Sequence, residues 1–336
     1  EGSVFMTKNR IQILKEKMLS QPRYVSIEQA LIITKTYKQH ENEPIILKRA
    51  YALANALREL EIGIENEELI VGNRTKGVRY GVVFPESGIS WVDREFETIS
   101  TRKQDKFLVR DEDIKIFREQ IVPYWKGKSL EDVIKQNFGK EISAINKVVK
   151  INQTDHAQGH ICPNVEKWLQ KGVSGLLEDA QNHYKNADED KKNFYQAIII
   201  VMKAVQNFML RYHDLLIATA KDDEKNRASL IKVADICKNI SQRPPQTFHE
   251  AVQATWFLFV ILHMESNASS FSPGRLDKIL YPYYIKDIEN NILTKDEALE
   301  IIECLWLKFN EIVYLRNQHS AKYFAGFPIG FNIAVG

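Results

Sequence analysis

Residues 251–264 read AVQATWFLFVILHM, and inside them the stretch Ala254 to Leu262 is apolar almost throughout, preceded by Gln253 and closed by His263. A bilayer-spanning helix needs about 20 apolar residues, so this run is too short to cross a membrane and reads as a buried helix. A helix that is apolar on every side needs neighbours on every side. That requirement implies a large fold with several layers, and a chain of 336 residues can supply it. The length prior suggests about two domains, although barrels exceed that rule as single units.

The rest of the chain alternates helical texture with one extended region. Ile11, Leu14 and Met18 recur at helical spacing, Ser26 to Gln29 has the pattern of a capping box, and ILKRAYALANALREL carries a third amphipathic segment. Glu68 to Gly72 and then YGVVFPESGISW change to β-branched and turn residues, which predicts short strands or extended loops. Helical pattern returns from Asp111 to Lys150 with Ser129 as a cap, and Pro163-Asn164 opens a helix through Leu177. DEDKKNFYQAIIIVMKAVQNFMLRYHDLLIATA is a long buried helix, and the boxes Thr247-Phe-His-Glu250 and Thr294-Lys-Asp-Glu297 open two more. No repeat, low-complexity tract or linker marks a domain boundary.

The start, EGSVFM, has the look of a cloning remnant ahead of a native Met6, so residues 1–6 are set apart from 7–336. At the other end IGFNIAVG runs apolar like an interior strand with no turn or cap after it, which predicts that the natural polypeptide continues.

Lysine and arginine number 46 against 44 acids, so no charge excess points to nucleic acid or an anionic membrane, and a small-molecule substrate is expected. Cys162, Cys237 and Cys304 form no CxxC pair and no regular spacing, which excludes a disulfide framework and fits a reducing cytosol.

Two stretches carry chemistry. Thr154 to Asn164, TDHAQGHICPN, holds His156 and His160 four apart with Cys162 as a soft neighbour. A metal site is one reading, but Gly159 and Pro163 oppose a helix there, and neither a fourth ligand nor an HExxH glutamate is present. A second reading makes them ordinary hydrogen-bonded loop histidines beside a small buried cysteine. A third is a substrate loop, in which glycine lets the backbone approach a ligand and a histidine presents a donor. The other stretch is Glu265 to Arg275, ESNASSFSPGR, directly after the buried helix. Its Asn267, Ser269 and Ser270 either face a cavity as ligand contacts or simply cap the helix before a Pro-Gly turn. Phosphate-loop, dinucleotide and G-x-S-x-G patterns are absent.

ELIVGNR at 68–74, FPE at 84–86 with Trp91 after it, GHICPN at 159–164 and ESNASSFSPGRLDKILYPYY at 265–284 together resemble the amino-terminal part of glycyl radical enzymes, in the glycerol dehydratase branch of the pyruvate formate-lyase-like group. The blocks keep their order and spacing along nearly the whole chain. The resemblance implies an α/β fold: a mostly helical amino-terminal part of a ten-stranded β/α barrel, built from two five-stranded halves with helices outside and the active site within. It further implies a radical on a glycine near the family's carboxyl terminus, outside this chain, installed by a separate activating enzyme that uses S-adenosylmethionine and an iron–sulfur cluster and relayed to a cysteine on a central loop. None of the three cysteines stands in the family's cysteine–x–glutamate setting and no RVxGY-like segment is present, so 7–336 is expected to lack the second barrel half and the radical domain and to be inactive alone.

By the same resemblance His160 is the catalytic candidate, contacting a substrate hydroxyl and helping it leave. His156, Gln158, His160, Ser269 and Ser270 are the candidate substrate contacts, with no metal. The diol and glycerol dehydratases carry histidine–serine where this chain has Ser269-Ser270, and their loop lacks His156 and Gln158, which implies a ligand other than glycerol. The expected activity is radical elimination of the dehydratase type on a small polar substrate. A decarboxylase, a C–N or C–S lyase, a formate acetyltransferase and, in another class, a non-catalytic helical binding module are the alternatives. A cytoplasmic homodimer is expected.

Overall fold

A computed structural model describes residues 9–149, 157, 159–324 and 331–336. It begins with α1 (Arg10–Ser20), whose Asn9 cap accepts the Gln12 N–H at 2.9 Å and whose Leu14 and Met18, one turn apart, are buried. Two packed helices follow, α2 (Glu28–Gln39) and α3 (Ile45–Glu59). The capping box expected at Ser26 to Gln29 does not form. Ile27 occupies the cap position without a side-chain bond, because Ser26 is held in β1 (Val25–Ser26).

β1 pairs in parallel with β2 (Gly81–Val82), Val25 opposite Gly81 and Ser26 opposite Val82. Parallel bridges carry the ladder outward to Leu108 on one side and Val313 on the other. Gly81 is required at the centre of this ladder: a Cβ there would lie 2.9 Å from the Phe107 ring and 3.0 Å from Leu315. The four chain segments are thus aligned as parallel neighbours, although the regular strands are short. Glu68 to Gly72 remains a loop.

Beyond β2 come α4 (Ser90–Glu95), α5 (Asp111–Ile116), a single π-helical turn at Phe117–Ile121, α6 (Val122–Trp125) and α7 (Leu130–Ile145), the last capped by Ser129 as predicted. With α2 most of these enclose a smaller core that includes Trp91, Phe96, Phe117 and Trp125.

The larger core is built from longer helices. α8 (Val165–Lys185) starts at Asn164, which accepts the Lys167 N–H at 2.9 Å, and runs beyond the expected end at Leu177. Then come α9 (Glu189–Asp222), α10 (Arg227–Gln242), α11 (Phe248–Ser266), α12 (Leu276–Glu289), α13 (Lys295–Lys308) and α14 (Gln318–Phe324). Thr294 and Glu297 form a complete capping box, whereas Thr247 bonds the Glu250 N–H and the Glu250 carboxylate turns to Arg243.

The apolar run lies in α11, which packs against α3, α8, α10, α12 and α13. Its polar atoms are used. The Gln253 amide makes two bonds to the Val71 backbone, at 2.8 and 2.7 Å, and Trp256 Nε1 donates to Gly72 O at 2.8 Å. The helix therefore grips the Glu68–Gly72 loop in the way a neighbouring strand would. The closing segment 331–336 is less buried than an interior strand: one parallel bridge joins Ile333 to Gly274, and Val335 is exposed.

Candidate functional site

The site is organised by the carboxyl end of α11. The last carbonyls of a helix lack internal partners, and here three are met by side chains from the amino-terminal helices and loop. Arg74 Nη1 reaches His263 O at 3.5 Å, Gln29 Nε2 donates to Met264 O at 2.7 Å, and Arg49 Nη2 donates to Glu265 O at 3.0 Å. Arg49 also bridges the Glu86 and Glu265 carboxylates, at 2.7 and 2.6 Å. Asn267 ends the helix in the left-handed conformation, φ 47°, and its Oδ1 accepts from Arg74 at 2.5 Å. Asn267 thus acts as a helix cap, not as a ligand contact.

Arg74 is fully buried and also donates to Val313 O at 2.6 Å, yet it has no carboxylate partner among the described residues. Burial pushes its guanidinium down to about 10. The negative end of the α11 dipole supplies part of the compensation.

From this anchor the chain continues as an extended strip, 268–272, that lies beside 157–161. Ala157 bridges Ala268 and Ile161 bridges Phe271, both in parallel. His160 N donates to Ser269 O at 3.0 Å and Ser272 N to Ile161 O at 2.9 Å. Gly159 is what allows this approach, since a Cβ there would sit 1.9 Å from the Ser269 carbonyl oxygen. His160 and Ser270, one on each strip, share the same unusual conformation, φ 55° and 61°. His160 is exposed in this chain, and Ser269 and Ser270 are half-buried. The imidazole and the two hydroxyls make no hydrogen bond with other described residues.

Beneath the strip the Tyr314 hydroxyl donates to Ala268 O, and the His263 ring packs edge-on to Phe271 with centroids 4.8 Å apart. His263 Nδ1 bonds Phe259 O at 2.6 Å, and burial with the Arg74 charge nearby pushes the imidazole down to about 3. It is neutral at any working pH. Cys237 and Cys304 are buried, with their thiols pushed up by desolvation, and serve as core residues. Cys162 is exposed and borders Gly274.

The two stretches singled out in the sequence are therefore brought together at His160, Ser269 and Ser270. His156 and Gln158 lie outside the described residues. Arg74, His263 and Tyr314, which hold the strip from below, were not picked out by sequence reasoning. The one signal for them was Arg74 within ELIVGNR, a charged residue at the end of an apolar run.

Across residues 6–336 the sequence matches the family model described as "Pyruvate formate lyase-like". The chain belongs to this glycyl radical enzyme family. Among pyruvate formate lyase-like relatives it is 34% identical to the probable dehydratase YbiW of Escherichia coli over 93% of this chain and 40% of that protein. It is 30% identical to an isethionate sulfite-lyase of Oleidesulfovibrio alaskensis over 87% of this chain and 38% of that protein. The glycerol-bound form of the B12-independent glycerol dehydratase of Clostridium butyricum superimposes with a TM-score of 0.92 and 32% identity, covering all of this chain and 44% of that one. The chain spans about 40% of the length of the curated relatives it matches. No helix among the described residues is long and apolar enough to cross a membrane.

Proposed function

We propose that this chain is the amino-terminal portion of a glycyl radical lyase that eliminates a hydroxyl group, as water, from a small polar substrate. The observation that carries the reading is the backbone pairing of Ala157 with Ala268 and of Ile161 with Phe271, which sets His160 beside Ser269 and Ser270 with no side-chain hydrogen bond to other described residues. Similarity to a dehydratase of known fold that was solved with glycerol bound supports the same class.

When present, the radical would supply abstraction of a hydrogen atom from a substrate carbon, through the thiyl form of a cysteine whose place none of Cys162, Cys237 and Cys304 fits. This chain's own residues act on the neighbouring hydroxyl. His160 donates to that oxygen and makes it a better leaving group, a contribution of about 10²–10⁴-fold for a placed general acid. Ser270 holds the oxygen by a second hydrogen bond, and Gly159 sets the distance between the two loops. Ser269, where diol and glycerol dehydratases carry histidine, together with His156 and Gln158, shapes the pocket for a head group other than that of glycerol. The sulfite-lyase relative supports a second reading, in which the group released is sulfite and the same donors meet a sulfonate.

The test is His160→Ala in the full-length protein, activated and assayed by product formation alongside electron paramagnetic resonance. Turnover is expected to fall at least 100-fold, the lower bound for general acid catalysis, with the radical signal intact. Loss of the signal, or unchanged turnover, removes His160 from this role.

A further inference from the structure

Alongside the parallel segments lies a cavity of about 180 Å³ whose lining includes none of His160, Ser269 and Ser270, and does include Arg23, Arg79, Asp105, Asn310, Tyr314 and Arg316. Arg23 directly precedes the bridge residue Tyr24, Arg79 comes just before β2, Arg316 follows Val313 by three residues, and all three side chains line the cavity. We propose that this cavity is a binding site for a small oxyanion of the phosphate or carboxylate type.

The charge inventory carries the proposal. Among the described residues Asp105 is the only carboxylate in the lining, and it is already bonded to Arg23 at 2.8 Å and approached by Arg102 at 3.5 Å. Arg79 and Arg316 have no carboxylate or carbonyl acceptor among the described residues. Arg316 is nonetheless 7% exposed, with its guanidinium 5.1 Å from the Tyr314 ring centre and 5.0 Å from that of Phe324. Arg23 lies 4.1 Å from the centre of the Phe107 ring, and its buried Nε has no partner among the described residues.

Aromatic contacts of this kind engage the faces of a guanidinium and leave its in-plane N–H groups as donors. An unpaired buried cation such as Arg316 is costly, whereas Arg79 is half-buried, and burial and the like charge of Arg23 push it down from its ordinary value against the opposing pull of Asp105. An oxyanion answers both problems at once, because guanidinium edges match carboxylate and phosphate oxygens in pairs. The Asn310 amide adds a neutral polar group to the lining. A cation is excluded by the same inventory, and an apolar ligand would leave ten N–H groups of Arg79 and Arg316 without acceptors.

Inorganic phosphate is the probe, titrated into the full-length protein at constant ionic strength with chloride as the balancing ion, and read by calorimetry. Saturable binding at one site is expected, weakened at least 10-fold in Arg79→Gln and in Arg316→Gln and unchanged in Lys126→Gln, a variant at an exposed lysine elsewhere. In parallel, phosphate should protect Arg79 and Arg316 of the wild-type protein from phenylglyoxal, scored by peptide mass, which keeps the test open if either variant fails to fold. Absence of saturation, equal binding in the glutamine variants, or modification that phosphate does not slow would each overturn the proposal. The elimination reading is tested separately by His160→Ala and does not depend on this result.

Discussion

At residue scale the site turns on two positions with opposite demands. Gly159 must have no side chain, because the Ser269 carbonyl occupies the space a Cβ would need, 1.9 Å away. Gly159→Ala is expected to push the two strips apart and to cost about 1–3 kcal/mol, the usual range for overpacking, visible as a lower urea midpoint together with lost turnover in the full-length enzyme. His263 must stay neutral. Its ordinary value is 6.5 and the folded protein holds it at about 3. Below pH 6.5 the unfolded chain therefore binds a proton that the native state refuses, and stability is lost as the pH falls toward 3. His263→Asn keeps a donor for Phe259 O and removes the titration. Between pH 6.5 and pH 4 its unfolding free energy should decline less steeply than that of the wild type, and parallel slopes would contradict the assignment.

At element scale the decisive unit is the end of α11. Arg74, Gln29 and Arg49 come from three separate parts of the amino-terminal third and converge on three successive carbonyls. Replacing Arg74 by methionine leaves Asn267 Oδ1 and Val313 O without their donor, at about 1–3 kcal/mol for each orphaned acceptor. The loss should appear as reduced stability and as faster amide exchange at Ser269 and Ser272, whose N–H groups bond the neighbouring strip. Unaltered exchange there would separate Arg74 from the loop.

Much of this element was legible in advance. The apolar run required a helix buried on all sides, Thr247 marked its start, and the polar patch after Met264 marked its end. What the sequence did not expose was partnership across 180–240 positions. Gln253 stood only as the polar residue ahead of the apolar run and is in fact the clamp on Val71. Ser26 looked like a cap and is a strand residue, because a ladder to Val82 outweighs a local hydrogen bond that only sequence spacing suggested. Asn267 offered two readings at equal cost, and only the position of Arg74 decides between them.

At the scale of the whole molecule, distant segments are tied by a buried ionic cluster. Lys308, in the last turn of α13, donates to Glu68 in the loop gripped by α11 and to Glu311 at 2.9 Å. Asn73 Nδ2 lies 3.4 Å from Glu311, and the Asn73 N–H bonds the Tyr212 hydroxyl of α9 at 3.0 Å. One ammonium serves two carboxylates, and all three groups are buried. Burial pushes both acids up, Glu311 to about 7, against the opposing pull of Lys308. An acid whose folded value is raised takes up a proton in the native state that the unfolded chain does not. Its contribution is therefore fully present below the unfolded value near 4.5 and is lost as the pH rises through 7. Lys308→Met removes the only cation of the trio and leaves two buried carboxylates facing each other. At pH 8 this should cost about 3–5 kcal/mol, the range for breaking a buried pair from one side. The deficit should shrink as the pH is lowered toward 5, where the carboxyls can take up protons and the repulsion disappears. Urea unfolding of the variant and the wild type at pH 5 and pH 8 measures the difference directly. A deficit of equal size at both values would mean that the lysine acts through the packing of its aliphatic stem, and that the charges of Glu68 and Glu311 do not govern how α9, α13 and the Glu68–Gly72 loop are held together.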